Sequence, residues 1–157
     1  IIHAVNYFQE MSIVFDYLIL LEPTSPLRDT QDIDRAIEML HEKREKADSI
    51  VGVSKVEATH PAFDLRIGEK GLIKPYLAKS FKVFRRQEIQ DLYFFEGTVY
   101  ISKTEVLIKR KSFYHDRTLP YIVPRWKSIE IDEKMDLMIA ETLLKNKHQF
   151  DSEVIDV

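Results

Sequence analysis

LLEPTSPLR, residues 20–28, is the stretch on which the fold turns. Before it, Asp16 to Leu21 is nearly all apolar and carries Tyr17, Leu18, Ile19 and Leu20, the composition of a strand covered on both faces and therefore of a parallel sheet. Pro23 and Pro26 cannot donate to a strand ladder, and each pushes the residue before it into extended geometry, so the chain leaves the sheet in a stiff loop. A helix follows over about residues 31–45. Ile33, Ala36, Ile37 and Leu40 recur at helical spacing while Asp34, Arg35, Glu38 and Glu42 fall elsewhere, and Thr30 or Asp29 caps the start. Thr24, Ser25 and Arg28 thus sit where a strand hands over to a helix, the edge at which open α/β sheets bind ligands.

The totals agree with one α/β domain. A chain of 157 residues with 45% hydrophobic and 11% aromatic content can build a real core. With 23 basic and 26 acidic residues the net charge is only −3, which implies neither a nucleic-acid partner nor an acidic tail, so any phosphate must be met by a local cluster. Cysteine is absent, excluding disulfides, zinc-thiolate sites and thiol nucleophiles. The apolar runs are too short for a bilayer span, so no membrane partner is expected and the protein reads as cytoplasmic. The chain starts Ile1-Ile2-His3 and runs directly into a helical pattern of Ile2, Val5 and Phe8, as though an earlier part were missing.

Further along, Ala47 to Ser54 reads as a second buried strand, completing a strand-helix-strand unit with a right-handed crossover. Phe63, Leu65 and Ile67 alternate with polar residues, Gly68 to Gly71 supply a turn, and Leu72 to Leu77 return, which predicts a hairpin. A polar segment over 79–92 contains Arg85-Arg86-Gln87. A strand at Gly97–Ser102, a short helix from Thr104, short strands at Tyr121–Val123 and Ser128–Ile131, and a helix over about Glu133–Lys147 with Met135, Met138, Ile139 and Leu143 on one side complete the pattern.

Three constellations can carry chemistry, and each has a plainer reading beside it. On a strand, Glu130 and Asp132 share a face and the turn that follows brings Asp136 close, an oxygen-rich cluster suited to Mg²⁺. Equally, Asp132 caps the last helix, with Glu133 and Asp136 complementing its dipole. Arg85, Arg86 and Gln87 match carboxylates or phosphates with guanidinium forks and an amide, or form a wet surface loop. Thr24, Ser25 and Arg28 suit an anion at a helix start, or simply make a rigid turn. His3, His60 and His115 have no metal spacing and read as surface or packed residues.

In order, LLEPTSPLR, RRQ, EGTVYIS and RWKSIEIDEKMD resemble the acylneuraminate cytidylyltransferase family, and the likeness covers almost the whole chain. The resemblance implies a Rossmann-like nucleotidyltransferase sheet with an inserted hairpin dimerisation arm at about 61–92, a homodimer, and CTP and an acidic nine-carbon sugar as partners. It implies Mg²⁺ at Asp132 and Glu130, catalytic roles for Asp132, Arg86 and Arg85, and substrate contacts from Glu22, Thr24, Ser25, Arg28, Gln87 and Glu96, with Asp136 behind them. The sugar's hydroxyl would attack the α-phosphate of CTP, releasing pyrophosphate. Two positions depart from the family: Glu22 stands where glutamine is common and Glu96 where asparagine is, so anions replace amides. The family's Gly-rich, basic phosphate loop has no counterpart, since only four glycines occur and none forms such a motif, which implies a later part of an enzyme inactive on its own. The alternatives are an enzyme for another acidic sugar such as Kdo, and a non-catalytic remnant that dimerises or binds sugar nucleotides.

Overall fold

Burial on both faces belongs to the strand after the helix that follows the proline loop, not to the strand before that loop. In β2 (Ser49–Lys55) every residue but the last is buried, and adjacent Ile50 and Val51 enter opposite apolar clusters, as alternating side chains must when both faces of a sheet are covered. The structure, a computed structural model, describes residues 1–57, 59–77, 85 and 88–150. It has two compact units, one of Ile1–Ser54 with the chain from Phe95 onward, the other Lys55–Phe94.

The first unit holds a mixed four-stranded sheet in the order β1 (Tyr17–Leu20), β5 (Tyr93–Lys103), β2, β6 (Thr118–Ile122). β2 and β6 run parallel, from Ser49 opposite Thr118 to Val53 opposite Ile122. β1 corrects the reading of the opening stretch. It lies at the edge, antiparallel to β5, with Tyr17 opposite Lys103. Leu18 and Leu20 pack inward while Tyr17 and Ile19 are about 40% exposed, at 40% and 39%, so an all-apolar tetrapeptide alternates in burial because only one face is covered. The sheet also runs β1 next to β5 rather than β2, so the expected neighbours are separated by a strand from far along the chain.

α2 (Thr30–Glu42) covers one face through Ala36 and Leu40, which join Ile50, Val99, Ile101, Tyr121 and Val123. Asp29 is its N-cap, accepting from the Asp32 amide at 3.2 Å while Asp32 accepts from the Asp29 amide at 2.9 Å, a reciprocal capping box that fixes the helix start just past the proline loop. On the other face α3 (Thr104–Arg110) contributes Leu107, packed with Val51, Val53 and Phe113, and ends on Lys111 in the left-handed region at φ 55°. α1 (Ile2–Glu10) buries Val5 and leaves Phe8 exposed. The expected strand at Ser128–Ile131 is absent: these residues are irregular, preceded by a 3₁₀ turn at Arg125–Lys127 that the Ser128 amide closes on the Arg125 carbonyl, and the Ile131 amide bonds to the Thr24 carbonyl in the proline loop and not to a ladder. α4 (Lys134–Lys145) has its predicted stripe, but Met135, Met138 and Ile139 are exposed and only Ala140 is buried.

In the second unit β3 (Leu65–Ile67) pairs with β4 (Ile73–Pro75), turned by Gly71 at φ 70°, where glycine avoids the left-handed penalty. His60 is a packed structural residue: its Nδ1 accepts from the Ala62 amide at 3.1 Å and Nε2 lies 3.1 Å from the Gln90 carbonyl. Among the described residues no helix is long and apolar enough to cross a membrane.

Candidate active site

The proline loop is tied down from three sides. Ser25 donates its amide to the Glu22 carbonyl at 3.2 Å, closing the turn that Pro23 and Pro26 stiffen. The Arg28 guanidinium reaches β5, donating to the Thr98 carbonyl at 2.8 Å and, at 3.3–3.4 Å, to the carbonyls of Glu22 and Gly97. All of these bonds go to backbone carbonyls, so Arg28 welds the loop to the strand. From the other end of the chain, the Ile131 amide donates to the Thr24 carbonyl at 2.8 Å and holds the acidic segment against the bend.

Gly97 is where these segments meet. Its amide donates to Glu130 Oε1 at 2.6 Å. A Cβ added there would stand 2.5 Å from Glu22 Oε2, 3.2 Å from Glu130 Oε1, and would collide with Ser25 Oγ, so only glycine admits three oxygen-bearing side chains so close to the strand. Ser25 is 1% exposed and its hydroxyl has no partner among the described residues. The Glu130 carboxyl is held above its ordinary range by burial, with the Glu22 and Asp132 charges adding to the rise and the Gly97 amide opposing it.

Glu96, beside Gly97, is 1% exposed. Its Oε2 accepts from the Thr98 hydroxyl at 2.6 Å and the Thr98 amide at 3.1 Å, while Oε1 is unpartnered among the described residues and lies against Gly52, where a Cβ would overlap it. Burial pushes this carboxyl up to about 7, reinforced by Glu130 and Asp32 and opposed by Thr98.

Asp132 is exposed beside this group, with its amide donating to Asp136 Oδ2 at 3.1 Å. The N-cap of α4 is Glu133, not Asp132, and it shares a reciprocal capping box with Asp136, whose Oδ2 accepts from the Glu133 amide at 2.8 Å. Asp136 is therefore a capping residue and Asp132 is left for other work. Among the described residues no group of three or more His, Cys, Asp or Glu is arranged to hold a metal by itself. The donors at hand, carboxylate oxygens on Glu130 and Asp132, are of the hard kind Mg²⁺ takes when water and phosphate complete its shell.

Thus Glu22, Thr24, Ser25, Glu130 and Asp132 come together, with Glu96 behind them and Arg28 as a brace. Arg85 is exposed in the second unit, its amide donating to Glu88 Oε2 at 3.4 Å. Arg86 and Gln87 lie outside the described residues. Sequence reasoning did not single out Lys127, which is 8% exposed and donates to Asp29 Oδ2 at 2.7 Å and to Asp32 at 2.8 and 3.0 Å, with the Tyr121 hydroxyl also donating to Asp32 at 3.0 Å. A lysine between Trp126 and the acidic segment, and a D-x-x-D pair at a helix start, were the available signals. Glycines inside the buried strands, Gly52 and Gly97, were another.

No family model matches the chain. Curated relatives do. The chain is 33% identical over 140 residues to CMP-N,N'-diacetyllegionaminic acid synthase of Legionella pneumophila, covering 88% of this chain and 58% of that protein. It is 31% identical over 140 residues to an N-acylneuraminate cytidylyltransferase of Streptococcus agalactiae, covering 86% of this chain and 33% of the relative. An N-acylneuraminate cytidylyltransferase of Escherichia coli is 28% identical over 141 residues, covering 88% of this chain and 33% of its own length. The chain therefore spans from a third to somewhat over half of these relatives, at 33% and 58%.

Proposed function

The chain belongs to the acylneuraminate cytidylyltransferase family, and from that premise we propose that it supplies the sugar-facing and metal-facing part of an enzyme coupling CTP to an acidic, sialic acid-like nonulosonic sugar. A hydroxyl of the sugar attacks the α-phosphorus of CTP, the bond to the β-phosphate oxygen breaks, and CMP-sugar and pyrophosphate form with loss of the hydroxyl proton. The observation that carries this reading is the convergence of Glu130 on Gly97, Ser25 and Glu22, with Ile131 anchored on Thr24. Two segments more than a hundred residues apart, 22–25 and 130–132, are thereby bound into one crevice.

Glu130 and Asp132 are the residues that would hold Mg²⁺. When bound, the ion neutralises phosphate charge and aligns the displacement. Glu130 is oriented by the Gly97 amide, and Asp132, exposed and not the cap of the last helix, lies close enough for its charge to act on Glu130. Thr24, Ser25 and Glu22 line the sugar side with Glu96 behind them, while Arg85, Arg86 and Gln87 belong to an arm that serves a homodimer and meet sugar or phosphate across its interface, within a Rossmann-like frame working in the cytoplasm. Exposed Leu65, Ile67, Leu72 and Ile73 on the hairpin support that arm, since apolar residues gathered on one small element mark a contact surface.

The 157 residues contain no Gly-rich basic loop for a triphosphate, so they bind CMP-sugar without turning over CTP. Calorimetric titration of CMP-sialic acid into the chain, with and without Mg²⁺, tests the reading. Binding that needs Mg²⁺ and is lost in Glu130→Ala and Asp132→Ala supports it. Binding indifferent to Mg²⁺ favours a non-catalytic module, and pyrophosphate release from CTP and a nonulosonic acid refutes the inactivity.

A further inference from the structure

A buried lysine stands just ahead of the acidic pair assigned to the metal. Lys127 is 8% exposed, and its Nζ donates to Asp29 Oδ2 at 2.7 Å and to Asp32 Oδ2 and Oδ1 at 2.8 and 3.0 Å, which uses every donor an ammonium has. Both acceptors are fixed without it, since Asp29 and Asp32 exchange amide bonds in the capping box of α2 and the Tyr121 hydroxyl donates to Asp32. The ammonium is therefore held at a point set by the first turn of α2, directly after the proline loop. Burying such a cluster adds little stability over apolar packing of the same shape, because the desolvation of the charges offsets their attraction. Stability alone does not account for a lysine in this place. The chain that follows it does.

From Lys127 the backbone runs through residues 128–133 without helix or strand until α4 begins. Glu130 and Asp132 lie on this stretch, and it is fastened on both sides of Ser128. Upstream, the Lys127 amide closes the 3₁₀ turn on the Pro124 carbonyl at 2.9 Å while its side chain grips α2. Downstream, Glu130 accepts from the Gly97 amide at 2.6 Å and the Ile131 amide donates to the Thr24 carbonyl at 2.8 Å. Fastened at both places, an irregular segment keeps one direction; with the downstream bonds alone it is free to pivot about them. We propose that Lys127 is a positioning residue: clamped to Asp29 and Asp32, it fixes where Glu130 and Asp132 stand relative to the proline bend, and so sets how well the pair takes Mg²⁺. This rests on the reading of Glu130 and Asp132 as the residues that hold the ion. An ammonium has no acceptor and cannot ligate the metal itself. Lys127 acts only through the acids it orients, and outer partners of that kind commonly govern metal affinity.

Calorimetric titration of CMP-sialic acid into the full chain at graded Mg²⁺ gives the Mg²⁺ concentration at half effect. One variant combines Lys127→Met with Asp32→Asn, removing the clamp together with its buried charge. Another, Asp29→Asn, keeps an N-cap residue on α2 and leaves the lysine one of its two carboxylates. Leu107→Ala is the control, since it opens a cavity in the cluster on the other face of the sheet and lowers stability there. The double variant is expected to need about tenfold more Mg²⁺ while its affinity at saturating Mg²⁺ stays near that of wild type. Asp29→Asn is expected to shift the same way by a smaller factor, and it alone decides should the double variant fail to fold. Leu107→Ala should melt lower and keep the wild-type Mg²⁺ requirement. If the clamp variants keep it too, or shift no further than Leu107→Ala, the inference falls while the assigned function stands. If wild type itself binds without regard to Mg²⁺, the reading of the acidic pair falls and the inference with it.

Discussion

Glu96 is the residue whose environment makes the sharpest demand. Its carboxyl titrates at about 7 in the folded chain against an ordinary value of 4.5, so the folded state holds its proton longer than the unfolded one. Stability therefore declines as pH rises from about 4.5, and the decline is complete a little above 7, a total on the order of 3 kcal/mol. Urea denaturation at pH 5 and pH 8 should show this slope in wild type and a much shallower one in Glu96→Gln. A second prediction concerns the glycine that faces it: Gly52→Ala places a methyl inside Glu96 Oε1 and 3.0 Å from the Glu96 carbonyl, and overpacking of that kind should cost about 1–3 kcal/mol, read as a lowered urea midpoint. Gly97→Ala should instead displace Ser25 and Glu22 and weaken CMP-sugar binding more than it lowers the melting point. Glu22, Ser25 and Glu130 were legible in the sequence as residue types at a strand-to-helix junction and in an acidic run. The glycines that admit them were not singled out, because their role is a shape and becomes visible only when two strands and a loop are packed together.

Elements show a different balance between pattern and context. Capping chemistry is local, so the start of α2 and the hairpin turn followed from residue types a few positions apart. Strand burial is not local. The YLIL of β1 is more apolar than the SIVGVS of β2, yet β2 is covered on both sides and β1 on one, because burial follows the position in the sheet order β1, β5, β2, β6. The acidic segment was expected to be a strand because I-E-I-D alternates; its amides instead serve Thr24 and the start of α4. What fixes its approach is Lys127 in the turn before it, clamped to Asp29 and Asp32 at the start of α2. Asp32 is 3% exposed, so Lys127→Met would leave a buried carboxylate without its cation and should cost about 3 kcal/mol in urea denaturation. Replacing Lys127 and Asp32 together, by Met and Asn, should recover part of that loss, whereas two independent contributions would simply add.

At the scale of the whole molecule, the apolar surface of the second unit makes the proposed pairing of two copies testable. Ile67 is 80% exposed and Leu72 67% on the hairpin. Sedimentation velocity should show a dimer that Ile67→Lys with Leu72→Lys converts to monomer, with the far-ultraviolet dichroism of the fold unchanged. The bond between the Ile131 amide and the Thr24 carbonyl has a kinetic meaning as well. It closes a loop of more than a hundred residues, a contact whose formation must await most of the chain because the entropy of so long a closure is offset only by packing already in place. The amide protons of Ile131 and Gly97 are therefore natural clocks: their exchange with deuterium times the opening of the crevice apart from global unfolding, and a ligand seated there should slow both together.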